Sequence, residues 1–248
     1  FRSAERCGKC HERVFEEWEG SRHRVAWTNE LVFQSYLEET EVFCVTCHAP
    51  LASQTSEVLA NSDWYLARGH RSEVHELGGA FEPEPKASEG ITCVVCHMRE
   101  GQVLGSEETW AHNIRPAPEL GDSTFCANCH EFSMPAFTST ATMIFDEPMQ
   151  STFSEWTAWT TAGGVERCQD CHMPDGRHVF RGAHDIDFLK GSVAVETQLQ
   201  GEELILAVRS VGVGHSMPTG DVFRRLTLEV AVDHGWRVVD EIGRTFRP

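Results

Sequence analysis

A largely irregular domain of short helices with little regular secondary structure over residues 1–190, followed by a small antiparallel, sandwich-like β domain over residues 191–248, is the fold this sequence predicts. Three observations predict it. Ten cysteines are spread as close pairs from Cys7 to Cys171 with no long apolar run between them. Only 40% of the 248 residues are hydrophobic, and two are Tyr, a thin supply for a chain long enough to form one or two domains. From Val193 onward the apolar residues recur at every second position, the period of a strand.

Charge and hydropathy narrow the class. The formal charge is −17 and the isoelectric point about 5.1, which excludes a nucleic-acid partner because phosphates repel such a surface. A basic protein partner is the better match. The longest uncharged apolar stretches, near Gly90–Cys96 and Leu204–Val208, fall far short of the roughly 20 residues a bilayer span needs. The sequence opens at Phe1 without a leader, so an export signal is expected to have been removed or to lie outside it.

Along the first domain, Glu12 to Trp27 carries Val14, Phe15, Trp18 and Val25 at helical spacing, with Gly20 as its weak point. The cysteine pairs are Cys7 and Cys10, Cys44 and Cys47, Cys93 and Cys96, Cys126 and Cys129, Cys168 and Cys171. Each is followed at once by a histidine: His11, His48, His97, His130 and His172. C-x-x-C-H is the attachment motif of haem c. Two thiols add across the two porphyrin vinyl groups, and the adjacent imidazole is then held beneath the iron as proximal ligand. Five motifs predict five haems.

Other uses of the motif fit less well. A tetrahedral zinc site needs two cysteine pairs, which leaves one of five unmatched, and it has no need of a His after every pair. A thioredoxin-like pair is expected once, beside a strand and a helix. A disulfide framework suits an exported chain but gives the repeated histidine no role. Five porphyrins also explain the composition, because they supply apolar surface that side chains otherwise provide.

Eight further histidines remain for the distal face of the irons: His23, His70, His75, His112, His178, His184, His215 and His234. Among the six methionines, Met98 and Met173 directly follow a proximal His and are poorly placed to reach the opposite face of the same ring. The surplus of His therefore favours mostly bis-histidine haems. His23, if its segment is helical throughout, lies about 18 Å from His11 and ligates a different haem; a half-exposed helix His is the alternative. His112 stands in the proline-bearing loop His112–Pro118, and His178 and His184 flank Phe180 and Gly182 after the fifth motif, one of them being a candidate propionate partner instead. His70 and His75 lie in so polar a stretch that a solvated segment is an equal reading. His234, in Asp233-His-Gly235, reads as an exposed hairpin turn.

In the β domain, Val193, Val195, Thr197 and Leu199 lead through Gln200-Gly201-Glu202 to Leu204, Leu206 and Val208, and Leu226, Leu228, Val230 and Val232 follow later. One apolar face needs a cover, either the first domain or strands beyond Pro248. Between these runs lies Gly212-Val-Gly-His215-Ser-Met-Pro218-Thr-Gly220, a loop stiffened by Gly and Pro whose His215 is a further distal candidate, with an ordinary loop His as the alternative.

Taken together, Trp18-x-x-Ser21-x-His23, Glu89-Gly-Ile-Thr-Cys93-x-x-Cys-His97, Phe125-Cys-Ala-x-Cys-His-Glu131, Cys168-Gln-Asp-Cys-His-Met-Pro174, His178-x-Phe-x-Gly182 and Gly214-His-x-x-Pro-Thr-Gly220 resemble the multihaem c-type cytochrome family, which includes the tetrahaem electron carrier of hydroxylamine oxidation. The resemblance implies distal ligation by His23, His112, His178 and His215, close haem stacking, and maturation outside the cytoplasm, hence a periplasmic or extracellular protein. It implies electron relay between a redox donor and a redox acceptor, with assembly alongside other haem-protein subunits as an extension. Five motifs depart from the tetrahaem pattern. The rival expectation is a reductase or oxidase of small nitrogen or sulfur compounds at one five-coordinate haem. Against it, no Lys replaces a proximal His, and Tyr36 and Tyr65 follow no recognisable cross-linking motif.

Overall fold

The structure is a computed structural model and describes residues 2–39, 42–67, 85–105, 112–137, 142–221, 224–232 and 235–243. His70, His75 and His234 lie outside the described residues. The chain divides into two compact units, Phe1–Leu120 with His172–Phe180, and Gly121–Cys171 with Arg181–Pro248.

The first unit contains helices α1 (Ala4–Gly8), α2 (Glu12–Glu19), α3 (Glu30–Glu39), α4 (Val42–His48), α5 (Ala52–Ala67) and α6 (Cys93–His97). A small sheet of order β1 (Met98–Arg99), β2 (Gln102–Gly105), β3 (Ile114–Pro116) follows. The helix expected over Glu12–Trp27 stops at Glu19: Gly20 caps it, donating its N–H to the Glu16 carbonyl, and residues 21–28 are turns. The expected loop His112–Pro118 holds the three-residue β3, which runs parallel to β2 with Val103 opposite Ile114.

The apolar core of this unit is small. Trp27, Phe33, Tyr36, Val45, Ala49, Val58 and Ala87 are buried together, with Cys44 at their edge. The Trp27 ring meets Tyr36 at 4.9 Å and Phe33 at 5.9 Å, both edge-on, the favoured aromatic geometry. Buried Gln54 donates from Nε2 to the carbonyls of Lys86 and Gly90, both at 2.9 Å, so the turn before the third motif is fixed to α5. Gly90 itself sits at φ +58°, and a Cβ there would meet the His23 carbonyl oxygen at 2.5 Å. Only glycine fits that crossing.

The second unit contains α7 (Thr124–His130), the hairpin β4 (Phe132–Phe137) and β5 (Thr142–Gln150), α8 (Thr152–Thr161), α9 (Cys168–His172, whose last residue falls in the first unit) and α10 (Ile186–Gly191). Asp185 starts α10, its side chain accepting the Phe188 N–H, an ordinary N-cap. Two antiparallel hairpins follow, β6 (Val193–Gln200) with β7 (Glu203–Ser210) and β8 (Arg225–Val232) with β9 (Gly235–Gly243). In the first, Val195 opposes Val208 and Leu199 opposes Leu204, and Gly201 takes φ +64° in the turn. The alternating runs thus form two separate two-stranded sheets, with short helices and irregular segments elsewhere.

Candidate haem-binding sites

Residues at i, i+3 and i+4 share one face of a helix, and C-x-x-C-H has that spacing. Four of the motifs are helical and end on their histidine: α4 at His48, α6 at His97, α7 at His130 and α9 at His172. After three of these histidines the chain leaves the helical region, extended at Met98 (φ −134°) and Glu131 (φ −151°) and irregular at Met173 (φ −129°), so each helix stops at its motif histidine. The first motif spans a junction. Cys7 is in α1, His11 begins α2, and the His11 N–H still bonds the Cys7 carbonyl at 3.0 Å.

Two of these histidines are anchored for ligation. The Nδ1–H of His48 donates to the Ala26 carbonyl at 2.8 Å, and that of His97 to the Leu104 carbonyl at 3.0 Å. A carbonyl only accepts, so Nδ1 carries the proton and Nε2 keeps its lone pair for a metal. In the second unit His215 has the same arrangement, Nδ1–H donating to the Ser216 carbonyl at 2.8 Å.

The first unit sets two candidate distal rings opposite two motif histidines. His11 and His112 are stacked with centroids 6.1 Å apart and planes 25° from parallel. His97 and His178 stand 6.0 Å apart at 36°. A metal–imidazole bond of about 2.0 Å puts each ring centre roughly 3 Å from the ion, so two trans imidazoles stand about 6 Å apart. Both pairs have that separation. His23 packs against Phe180 at 4.1 Å, and Phe180 also meets the His178 ring edge-on at 5.9 Å. His184 and His215 belong to the second unit, where His184 lies beside Gly182.

Carboxylates to which sequence reasoning gave no role hold the segments of these histidines. The Glu17 carboxylate, on a side chain only 8% exposed, accepts from Arg13 Nη1 at 2.7 Å, Arg177 Nε at 3.0 Å and the His178 N–H at 2.9 Å. The His178 amide, with Arg177 and Arg13, holds its carboxyl below the ordinary range. In the second unit Glu155 accepts from the Ser216 N–H at 3.1 Å and the Thr219 hydroxyl at 2.6 Å, fixing the His215 loop to α8. Gly214 of that loop lies on the face of Trp159. Neither acid belongs to a ligand-type pattern, so only the folded chain reveals them.

Motif helices also pair. Glu89 Oε2 accepts from the Ala4 N–H and the Thr92 hydroxyl, both at 2.9 Å, tying α1 to the start of α6. Burial, with the neighbouring Cys7 thiol, pushes the Cys93 thiol up to about 12. Burial likewise pushes Cys96 up to about 11. In the second unit Cys168 is lowered to about 6, chiefly by a hydrogen bond from Cys126 and also by Ser123, whose Oγ accepts the Cys168 N–H at 3.0 Å. Motifs one and three, and motifs four and five, are therefore side by side.

These residues fit haem c. The Cys93 and Cys96 thiols, buried and resistant to ionisation, suit thioether carbons better than a zinc ion that demands thiolates. Among the described residues no three His, Cys, Asp or Glu converge on one point. Among the described residues, buried polar atoms without a hydrogen-bond partner include Trp27 Nε1 and His178 Nδ1. Tyr36 is fully buried in the core around Trp27; the Tyr65 side chain is not among those described.

Comparison with known proteins agrees. Residues 2–185 match the family described as outer membrane cytochrome MtrC/MtrF-like, domains II/IV. The fold is similar to the crystal structure of a penta-haem cytochrome c552 from Thermochromatium tepidum, with a TM-score of 0.63 and 22% identity over 97% of this chain and 73% of that one. No curated protein gives a significant match. No helix among the described residues is long and apolar enough to cross a membrane.

Proposed function

The chain belongs to the MtrC/MtrF-like outer membrane cytochromes and is a multihaem c-type cytochrome, and from that premise we propose that it relays single electrons through five covalently attached haems. The haems supply the one-electron chemistry. The polypeptide holds them by Cys7 and Cys10, Cys44 and Cys47, Cys93 and Cys96, Cys126 and Cys129, and Cys168 and Cys171, with His11, His48, His97, His130 and His172 as proximal ligands.

The observation that carries the reading is the pair of 6 Å ring separations, His11 to His112 and His97 to His178. Such a pair would hold an iron from both sides, which would leave no face for a substrate and favour transfer of electrons over chemistry on a ligand. His23, His184 and His215 are the distal candidates for the other three haems. The neighbouring thiols of Cys7 with Cys93 and of Cys126 with Cys168 support attachment points close enough for electrons to pass between haems one and three and between haems four and five. Residues 1–190 form the haem-bearing stretch in this reading, and residues 191–248 the β stretch.

The name of the family supports an exported protein working in the periplasm or outside the cell, receiving electrons from one redox protein and delivering them to another, with further haem subunits as assembly partners. The acidity of the chain favours a basic face on those partners. Carbon monoxide binding to the reduced protein, with electron paramagnetic resonance of the oxidised protein, tests the relay. No carbon monoxide uptake and only low-spin signals are expected; one stoichiometric high-spin, carbon-monoxide-binding haem would establish the rival, a reductase or oxidase of small nitrogen or sulfur compounds.

A further inference from the structure

We propose that Glu17 is a positioning residue for the third haem, holding His178 on its distal face and lowering its potential. The inference rests on the reading that His97 and His178 share one iron. His178 lies 81 residues after His97 in a segment without regular structure beyond the short 3-10 turn Pro174–Gly176, and such a segment does not hold a ring in place by itself. What fixes it is long-range. Glu17 Oε2 accepts the main-chain N–H of His178, and Oε1 accepts Arg177 Nε, so two successive residues are clamped to α2 from 160 positions away. Arg13, one turn earlier on α2, pins the same carboxylate.

Because the clamp acts on the backbone of His178, it sets where the ring stands without using either ring nitrogen. Outer-shell partners of this kind commonly change metal affinity about 10–100-fold. The carboxylate is nearly buried, and a negative charge close to a haem favours the ferric form. The same helix begins at His11, so α2 joins the ligand sets of the first and third haems.

The test uses the fully haem-loaded protein in four forms: wild type, Glu17→Ala, Glu17→Gln and His178→Ala. His178→Ala is expected to open one haem of the five to carbon monoxide. Glu17→Ala should let carbon monoxide bind measurably at that same haem, where wild type takes up none. Glu17→Gln keeps an acceptor for the His178 N–H but loses the charge; it should stay low-spin while one of the five potentials rises in spectroelectrochemical titration. If both Glu17 variants match wild type in carbon monoxide kinetics and in all potentials while His178→Ala opens a haem, Glu17 has no positioning role. If His178→Ala opens none, the ligand reading falls, and this proposal with it. Should Glu17→Ala fail to mature, Glu17→Gln decides: one raised potential supports the role, and unchanged potentials overturn it.

Discussion

An imidazole that gives its Nδ1–H to a main-chain carbonyl is locked in tautomer and orientation before any metal arrives, and His48 and His97 are held in this way. Truncating the ring opposite such a ligand isolates its contribution. His112→Ala, facing His11, is expected to convert one low-spin haem into a high-spin, carbon-monoxide-binding one and leave the rest unchanged, as read by resonance of the oxidised protein. Gly90 offers a test free of haem chemistry. At φ +58°, with the His23 and Arg24 carbonyls 2.5 and 2.8 Å from a would-be Cβ, Gly90→Ala should destabilise the fold by more than about 1 kcal/mol, seen as a lower denaturation midpoint. At this scale the C-x-x-C-H spacing was legible because its chemistry is local. Which histidines come together was not, since His112 and His178 reach His11 and His97 through space, and nothing local gives Glu17 its contact with His178.

Short helices that end on their histidines make up the elements that matter most, and carboxylates and hydroxyls tie them in pairs. Glu89 is the clearest such tie. Its loss leaves the N–H of Ala4, a residue only 1% exposed, without its acceptor, a cost of about 1–3 kcal/mol; Glu89→Ala should lower the thermal midpoint more than Glu89→Gln, measured by calorimetry on the loaded protein. The period-two pattern located β6, β7 and β8 and the turn at Gly201 correctly, because alternation is a strong signal where one strand face is polar. It did not reveal β4 and β5, whose register shifts near Ser133 and whose strands contain Pro135 and Pro148, residues that normally argue against a strand. It also overran α2, where Gly20 ends the helix although the apolar spacing continues to Val25.

For the molecule as a whole, water exclusion is the governing quantity. The core built around Trp27, Tyr36 and Val45 is small for a chain of 248 residues, as expected where haems supply apolar mass. The low hydrophobic fraction already pointed there, whereas the grouping of motifs one with three and four with five required the folded chain. With a formal charge of −17, docking to a basic redox partner should be steered electrostatically, and its association rate should fall steeply as salt rises, a trend stopped-flow kinetics would record. The most direct measurement is the mass of the intact purified protein. A mass equal to the polypeptide plus five haems, unchanged by denaturation and thiol reduction, is expected. The bare polypeptide mass, with ten cysteines that react as free thiols, would contradict it.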